Sequence, residues 1–282
     1  LQSLKLYPEA MAHYQRALQL QPECAEAHSN LGNTLLALGR PEQAADCFGR
    51  ALRLRPDYAE AYLNLSGALK NLERFDQAAE CCQQAIRLAP GLAEAYSNLG
   101  AILCCLDRFD QAETAAQAAL HRKPELAEAW VVLSKIENAR GRFGQAEKSA
   151  RQALALRPGY AEAHNNLGNA LQEQGHLEQA RACYEEALRL KPELADAHYN
   201  LGNVCRLEHR LEEAGACYAR AIGLKPGYVK AHWNRAHVLL ATGDMPRGWE
   251  EFEWRWKNKG TPPRPFPQPV WDGAPLDGRR IL

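Results

Sequence analysis

The 282-residue sequence contains no run of 18 or more apolar residues, and its opening, LQSLKLYPEA, lacks the basic-then-apolar layout of a signal peptide. Neither a membrane span nor a secretory leader is therefore expected in these residues. An excess of charge is also missing: Lys plus Arg and Asp plus Glu number 34 each. No long-range field draws the chain to nucleic acid or to an anionic membrane surface, so recognition by charge has to be local. Nine cysteines are present without one C-x-x-C spacing, which argues against a zinc or redox site. Four of them, Cys47, Cys81, Cys183 and Cys217, share one position of a repeat, as suits small apolar residues carrying free thiols. A reducing compartment, the cytoplasm, follows as the expected location. Paired carboxylates, a nucleophile elbow, a phosphate-cradling glycine loop and triad spacing are all lacking, so no catalysis, cofactor or metal is expected of this stretch.

What the sequence has is a period. Pro22, Pro56, Pro90, Pro124, Pro158, Pro192 and Pro226 stand 34 residues apart. A fixed period of this length signals a stacked repeat. Between the prolines the apolar residues fall at helical spacing in two blocks separated by a short turn, which holds glycine at Gly39, Gly141, Gly175 and Gly243. Each unit reads as two antiparallel helices. Ala44, Ala78, Ala112, Ala146, Ala180 and Ala214 mark a close helix crossing, a second alanine series from Ala51 to Ala221 follows seven residues later, and the proline ends the second helix.

The 34-residue period, the Leu-Gly pairs (Leu167-Gly168, Leu201-Gly202), the paired alanines and the closing proline resemble the tetratricopeptide repeat. The resemblance implies an all-α fold, a right-handed α-solenoid whose first helices line the concave face. It divides the chain into a partial repeat over 1–24, six full repeats over 25–228, a degenerate seventh repeat with a capping helix over 229–260, and a proline-rich extension over 261–282 that leads to a domain outside this sequence. Leu1 falls inside a repeat, so the chain reads as a piece of a longer protein.

Asparagine, a poor helix-interior residue, recurs eight residues after the prolines as Asn30, Asn64, Asn98, Asn166, Asn200 and Asn234; only Val132 interrupts. A shorter row, Asn33, Asn169 and Asn203, lies three residues on and so on the same helical face. These amides either satisfy the backbone at repeat junctions or hold the peptide units of a partner. The interruption splits the ladder, and its C-terminal half is the richer. Asn165, where other repeats carry Ser29, Leu63 and Tyr199, is a candidate selectivity residue. The ladder is similar to that of the O-linked N-acetylglucosamine transferases, which implies an extended polypeptide as partner. The family's clamp for peptide C-termini is not expected, because acids (Glu26, Glu60, Glu94, Glu128, Glu162 and Asp196) stand where it needs cations. Those acids read as a solvated, helix-starting face, or as a rim selecting basic substrates. His28, His164, His198 and His232 replace Tyr62, Tyr96 and Trp130 and read as core aromatics.

Two expectations concern irregular places. Arg122 and Glu137 each occupy a normally apolar position, which suggests a partly buried ion pair across the repeat junction. Met245, Trp249, Phe252 and Trp256 make the apolar stripe of a last helix, with Trp254 off the stripe and Gly260 as its stop. The run GWEEFEWRW, five prolines between Pro262 and Pro269, WDG and then Arg279-Arg280-Ile281-Leu282 resembles bacterial proteins in which such repeats precede a two-lobed glycosyltransferase domain. That resemblance implies a glycosyltransferase domain beyond Leu282. The alternative is an adaptor that assembles proteins without any glycosyl transfer in its parent.

Overall fold

The computed structural model describes residues 2–257. The expectations for Gly260, for the proline-rich stretch and for the Arg279–Leu282 strand lie outside the described residues. The chain forms two compact units, residues 1–192 and 193–282. In the first, α1 (Gln2–Leu20) precedes five pairs: α2 (Ala25–Ala37) with α3 (Pro41–Leu54), α4 (Ala59–Asn71) with α5 (Phe75–Leu88), α6 (Ala93–Cys105) with α7 (Phe109–Arg122), α8 (Ala127–Ala139) with α9 (Phe143–Leu156), and α10 (Ala161–Glu173) with α11 (Leu177–Leu190). The second unit holds α12 (Ala195–Leu207) with α13 (Leu211–Leu224), then α14 (Val229–Ala241) with α15 (Met245–Phe252) and a 3-10 turn, Glu253–Lys257. All regular structure among the described residues is helical.

The turn inside each pair needs one residue in the left-handed region, because the helix ends in a six-to-one bond such as Arg40 N–H to the Leu35 carbonyl at 2.9 Å. Gly39, Gly141, Gly175 and Gly243 supply it at φ between 70° and 87°, but Glu73, Asp107 and His209 adopt φ of 57°, 57° and 60° at equivalent places. Each of these three side chains costs roughly 1 kcal/mol there, so the glycine signal marks only some of the turns. At the other end of the pair, the residue before each proline is forced out of the helical region. Arg55 and Lys123, for example, lie at φ −138° and −143°.

Both alanine series are completely buried, Ala44 and Ala51 as much as Ala180 and Ala187. Small side chains let the helix axes approach to close packing, and within each unit a pair buries its apolar face on the next. In the first unit the first helices of successive pairs also touch one another (α2 with α4, α4 with α6, α6 with α8, α8 with α10), whereas the second helices are held apart. The first helices therefore line the inside of the curve in that unit.

The last pair differs from its sequence pattern. α15 stops at Phe252, and the stripe does not sink as a whole: Met245, Trp249 and Trp256 are exposed while Phe252 stacks on Trp233 at 4.8 Å. Trp254, expected off the stripe, stacks on His232 at 3.7 Å with the rings 2° apart. Tightening to a 3-10 turn rotates the later residues out of α-helical register, which brings Trp254 inward and leaves Trp256 at the surface.

Candidate functional site

The nine asparagines separate into groups with different surroundings. Asn30 and Asn33 are exposed on α2, while Asn64 on α4 and Asn98 on α6 are half-buried. The side-chain amides of these four make no hydrogen bond to the rest of the described chain. Asn166 is 7% exposed on α10, and its Nδ2 donates to Ser134 Oγ at 2.9 Å and to the Val131 carbonyl at 3.1 Å. Asn138 Nδ2 returns a bond to the Asn166 carbonyl at 2.9 Å. The amide of Asn166 thus ties α10 to α8. Asn165 beside it is also buried.

The second row serves tyrosines. Asn169 Oδ1 accepts the Tyr184 hydroxyl at 2.8 Å, and in the second unit Asn203 Oδ1 accepts that of Tyr218 at 2.8 Å. Both rings are completely buried, and an unpaired hydroxyl there would be costly. Phe48 holds the equivalent place on α3 and has no hydroxyl, which leaves Asn33 without such a duty. Asn234 donates to Asn203 Oδ1 at 2.8 Å and to the Tyr199 hydroxyl at 3.3 Å, closing a polar network within the second unit. Asn200 on α12 is half-buried.

The acids at the start of each first helix are mostly occupied. Glu26 pairs with Arg55 at 2.5 Å, Glu94 with Lys123 at 2.8 Å, Glu162 with Lys191 at 2.8 Å, and Glu128 with Arg157. Asp196 accepts from the Tyr228 hydroxyl at 2.9 Å. The cation in each pair is the residue that the closing proline forces into extended backbone, so the proline aims it back at the first helix. The hydrogen bond from Lys123 holds the Glu94 carboxyl below its ordinary range. Glu60 is the exception: its partner position is Ala89, and it keeps an exposed carboxylate one turn before Asn64.

Ring nitrogens and hydroxyls at the histidine position close the junctions. His28, His164 and His232 place Nε2 at 3.0, 2.9 and 2.9 Å from the carbonyls of Pro22, Pro158 and Pro226. Tyr96 and Trp130 donate to Pro90 and Pro124 in the same way. A carbonyl only accepts, so Nε2 carries the hydrogen in these histidines.

Arg122 and Glu137 do not pair. Arg122 donates from Nε to the Pro90 carbonyl at 2.7 Å and from Nη2 to the Tyr96 hydroxyl at 2.9 Å, with its guanidinium 3.9 Å above the Tyr96 ring. Glu137 faces Ser149 and Arg142 instead, and its Oε2 is buried without a partner. Burial pushes its carboxyl above the ordinary range. Thiols of the repeated cysteine position are half-buried, and desolvation raises that of Cys81 to about 11. Among the described residues no group of His, Cys, Asp and Glu is placed to hold a metal, and no helix is long and apolar enough to cross a membrane.

Sequence profiles described as TPR repeat match residues 3–39, 135–175 and 168–205, and profiles described as tetratricopeptide repeat match 29–93, 92–123 and 195–228. The chain belongs to the tetratricopeptide repeat family. No curated protein matches it. Among solved structures, a chain of the APC/C hetero-tetramer Cut9-Hcn1 is similar at a TM-score of 0.73 and 18% identity, over 83% of this chain and 46% of that one. This tetratricopeptide chain thus spans less than half the length of that relative. YrrB, described as a TPR protein with an unusual peptide-binding site, is 22% identical over 66% of this chain and 96% of its own, at a TM-score of 0.44. At these identities the likeness concerns the fold alone.

Proposed function

We propose that this chain is a protein-binding tetratricopeptide superhelix that holds an extended polypeptide along its asparagine-bearing first helices, as the recognition region of a glycosyltransferase-like protein. The observation that carries the reading is the set of four amides, Asn30, Asn33, Asn64 and Asn98, which lie on the inner face of one curved unit and spend no hydrogen bond on the fold. A side-chain amide donates and accepts at once, so each can take one peptide unit of a partner. Neighbouring first helices pack roughly 10 Å apart, and an extended chain advances roughly 3.3 Å per residue, so one amide meets about every third residue. Contacts to backbone tolerate many sequences. Selectivity is then supplied beside the row, where the unpaired Glu60 favours a basic side chain. The glycosyltransferase part of the proposal is supported by the GWEEFEWRW run and the order of motifs after it.

The experiment replaces the free amides and the packed amide separately. Asn64→Ala with Asn98→Ala weakens binding of a captured partner peptide by roughly 5- to 100-fold, from about 0.5 to 1.5 kcal/mol per lost bond, with the melting curve unchanged. Asn166→Ala lowers stability by about 1 to 3 kcal/mol, because its bonds to Ser134 Oγ and the Val131 carbonyl are lost in a buried place, and leaves affinity for the peptide unchanged. Binding that survives the first pair of substitutions overturns the assignment.

A further inference from the structure

A second site lies away from the asparagine row. A cleft of about 620 Å³ opens between α1, α2 and α3, within the size range of pockets for small ligands. Leu18, Leu31 and Leu54 line it together with Arg50, Arg53 and His28. His28 is 7% exposed; its Nε2 is spent on the Pro22 carbonyl, and its Nδ1 is buried with no partner. Among the described residues neither arginine has an ion pair. A buried ring nitrogen left open is a costly arrangement for a fold to keep, and the two guanidiniums that share its cleft supply the chemistry of an anion site.

Other repeats of the same chain show what is missing here. At the position of Arg50 and Arg53, α11 carries Glu186 and Arg189, which neutralise each other at 2.7 Å. Where Leu54 stands, α7 has Arg122, which bonds the Pro90 carbonyl and the Tyr96 hydroxyl, the groups equivalent to Pro22 and His28. Most telling is the last pair: His232, equivalent to His28, bonds through Nδ1 to the carboxylate of Glu251, and Arg235 holds the other oxygen of that carboxylate at 2.5 Å. Glu251 stands at the position that Cys47 holds in the cleft. Burial raises the Cys47 thiol, so it stays uncharged and does not compete with an anion.

We propose that the cleft between α1, α2 and α3 binds an aliphatic carboxylate, with the carboxylate against Arg50 and Arg53 and the hydrocarbon chain against Leu18, Leu31 and Leu54. The carboxylate accepts from Nδ1 of His28, whose ring already donates through Nε2 and takes a second proton from solvent as the anion binds. The bound carboxylate takes the part that Glu251 plays for His232. The volume suits one small amphiphile rather than a length of polypeptide.

The test titrates the full chain with octanoate, and with octanol as the uncharged control, by calorimetry and by nuclear magnetic resonance of the arginine and histidine side chains. Octanoate saturates one site and shifts the signals of Arg50, Arg53 and His28, while octanol binds at least about 10-fold more weakly, the effect of losing charge-assisted bonds. Arg50→Gln with Arg53→Gln lowers octanoate affinity by about 10-fold or more on the same grounds. Leu54→Arg copies Arg122, fills the cleft and removes binding, and His28→Tyr copies Tyr96 and weakens it; both keep the fold by precedent within this chain, which the melting curve checks. The proposal falls if octanoate fails to saturate by about 1 mM, if octanol binds as tightly, or if Leu54→Arg binds octanoate like the parent.

Discussion

Gly168→Ser destabilises the first unit by about 1 to 3 kcal/mol, the ordinary cost of forcing atoms into a filled core. A Cβ on Gly168 would lie 2.6 Å from Cε1 of Tyr184 and 2.8 Å from its Cδ1. The ring cannot turn away, because it is completely buried and its hydroxyl is held by Asn169. Gly32 over Phe48 and Gly202 over Tyr218 repeat the arrangement, with the same approach of 2.6 and 2.7 Å. Where the ring is absent the first position varies: Ser66 stands opposite Cys82, Ser134 opposite Ala150, and Gly100 opposite Ala116. Tyr184→Cys alone costs about 3 to 5 kcal/mol through the cavity it leaves. Combining it with Gly168→Ser transplants the Ser66–Cys82 pair, and the double variant is expected to recover about 1 to 3 kcal/mol relative to the sum of the singles, the usual coupling of touching residues. Denaturant unfolding of the four proteins measures this. Strict additivity would show that glycine and ring are not matched.

Glu137→Leu is expected to raise stability at neutral pH by about 1 to 3 kcal/mol, since it removes a carboxylate with a buried, unpaired oxygen and restores the leucine that Leu35, Leu69, Leu103 and Leu171 provide elsewhere. Arg142 keeps Glu113 as a partner at 2.7 Å, so no cation is stranded. The gain depends on pH. Burial holds the folded-state affinity of Glu137 for its proton above the ordinary value of 4.5, so the native chain binds the proton more tightly than the unfolded one. Stability from this group is complete below 4.5 and is lost as pH rises through the raised folded value. The advantage of Glu137→Leu therefore grows from acid to neutral pH. A gain independent of pH, or a loss at neutral pH, would show that the carboxylate is well solvated or usefully paired.

Comparing residue pattern with structure shows where legibility stops. The period, the helix pairs, the buried alanines and the closing prolines are all readable along the chain, because helical spacing and proline stereochemistry act within a few residues. Left-handed turns at Glu73, Asp107 and His209 were not signalled by residue type, since packing on both sides of the turn overrides a cost near 1 kcal/mol. Matching of Gly32 with Phe48, Gly168 with Tyr184 and Gly202 with Tyr218 is present in the sequence at a spacing of 16, but it becomes a signal only once the two helices are known to cross there. Arg122 and Glu137 attracted attention together because both break the apolar pattern; each has a separate local cause.

The asparagines make the same point most directly. Residue order alone placed Asn30, Asn64, Asn98, Asn166, Asn200 and Asn234 at one repeat position and made the C-terminal half of the ladder look the richer. Tertiary contacts alone decided the surroundings of each amide: Asn166, Asn169, Asn203 and Asn234 bond to Ser134, Tyr184, Tyr218 and Tyr199, whereas Asn30, Asn33, Asn64 and Asn98 meet no such donor or acceptor among the described residues. The repeat was settled by short-range stereochemistry, which one chain displays in order. The state of each amide depends on groups about 15 to 35 residues away that only the packing of neighbouring helices brings within hydrogen-bond distance.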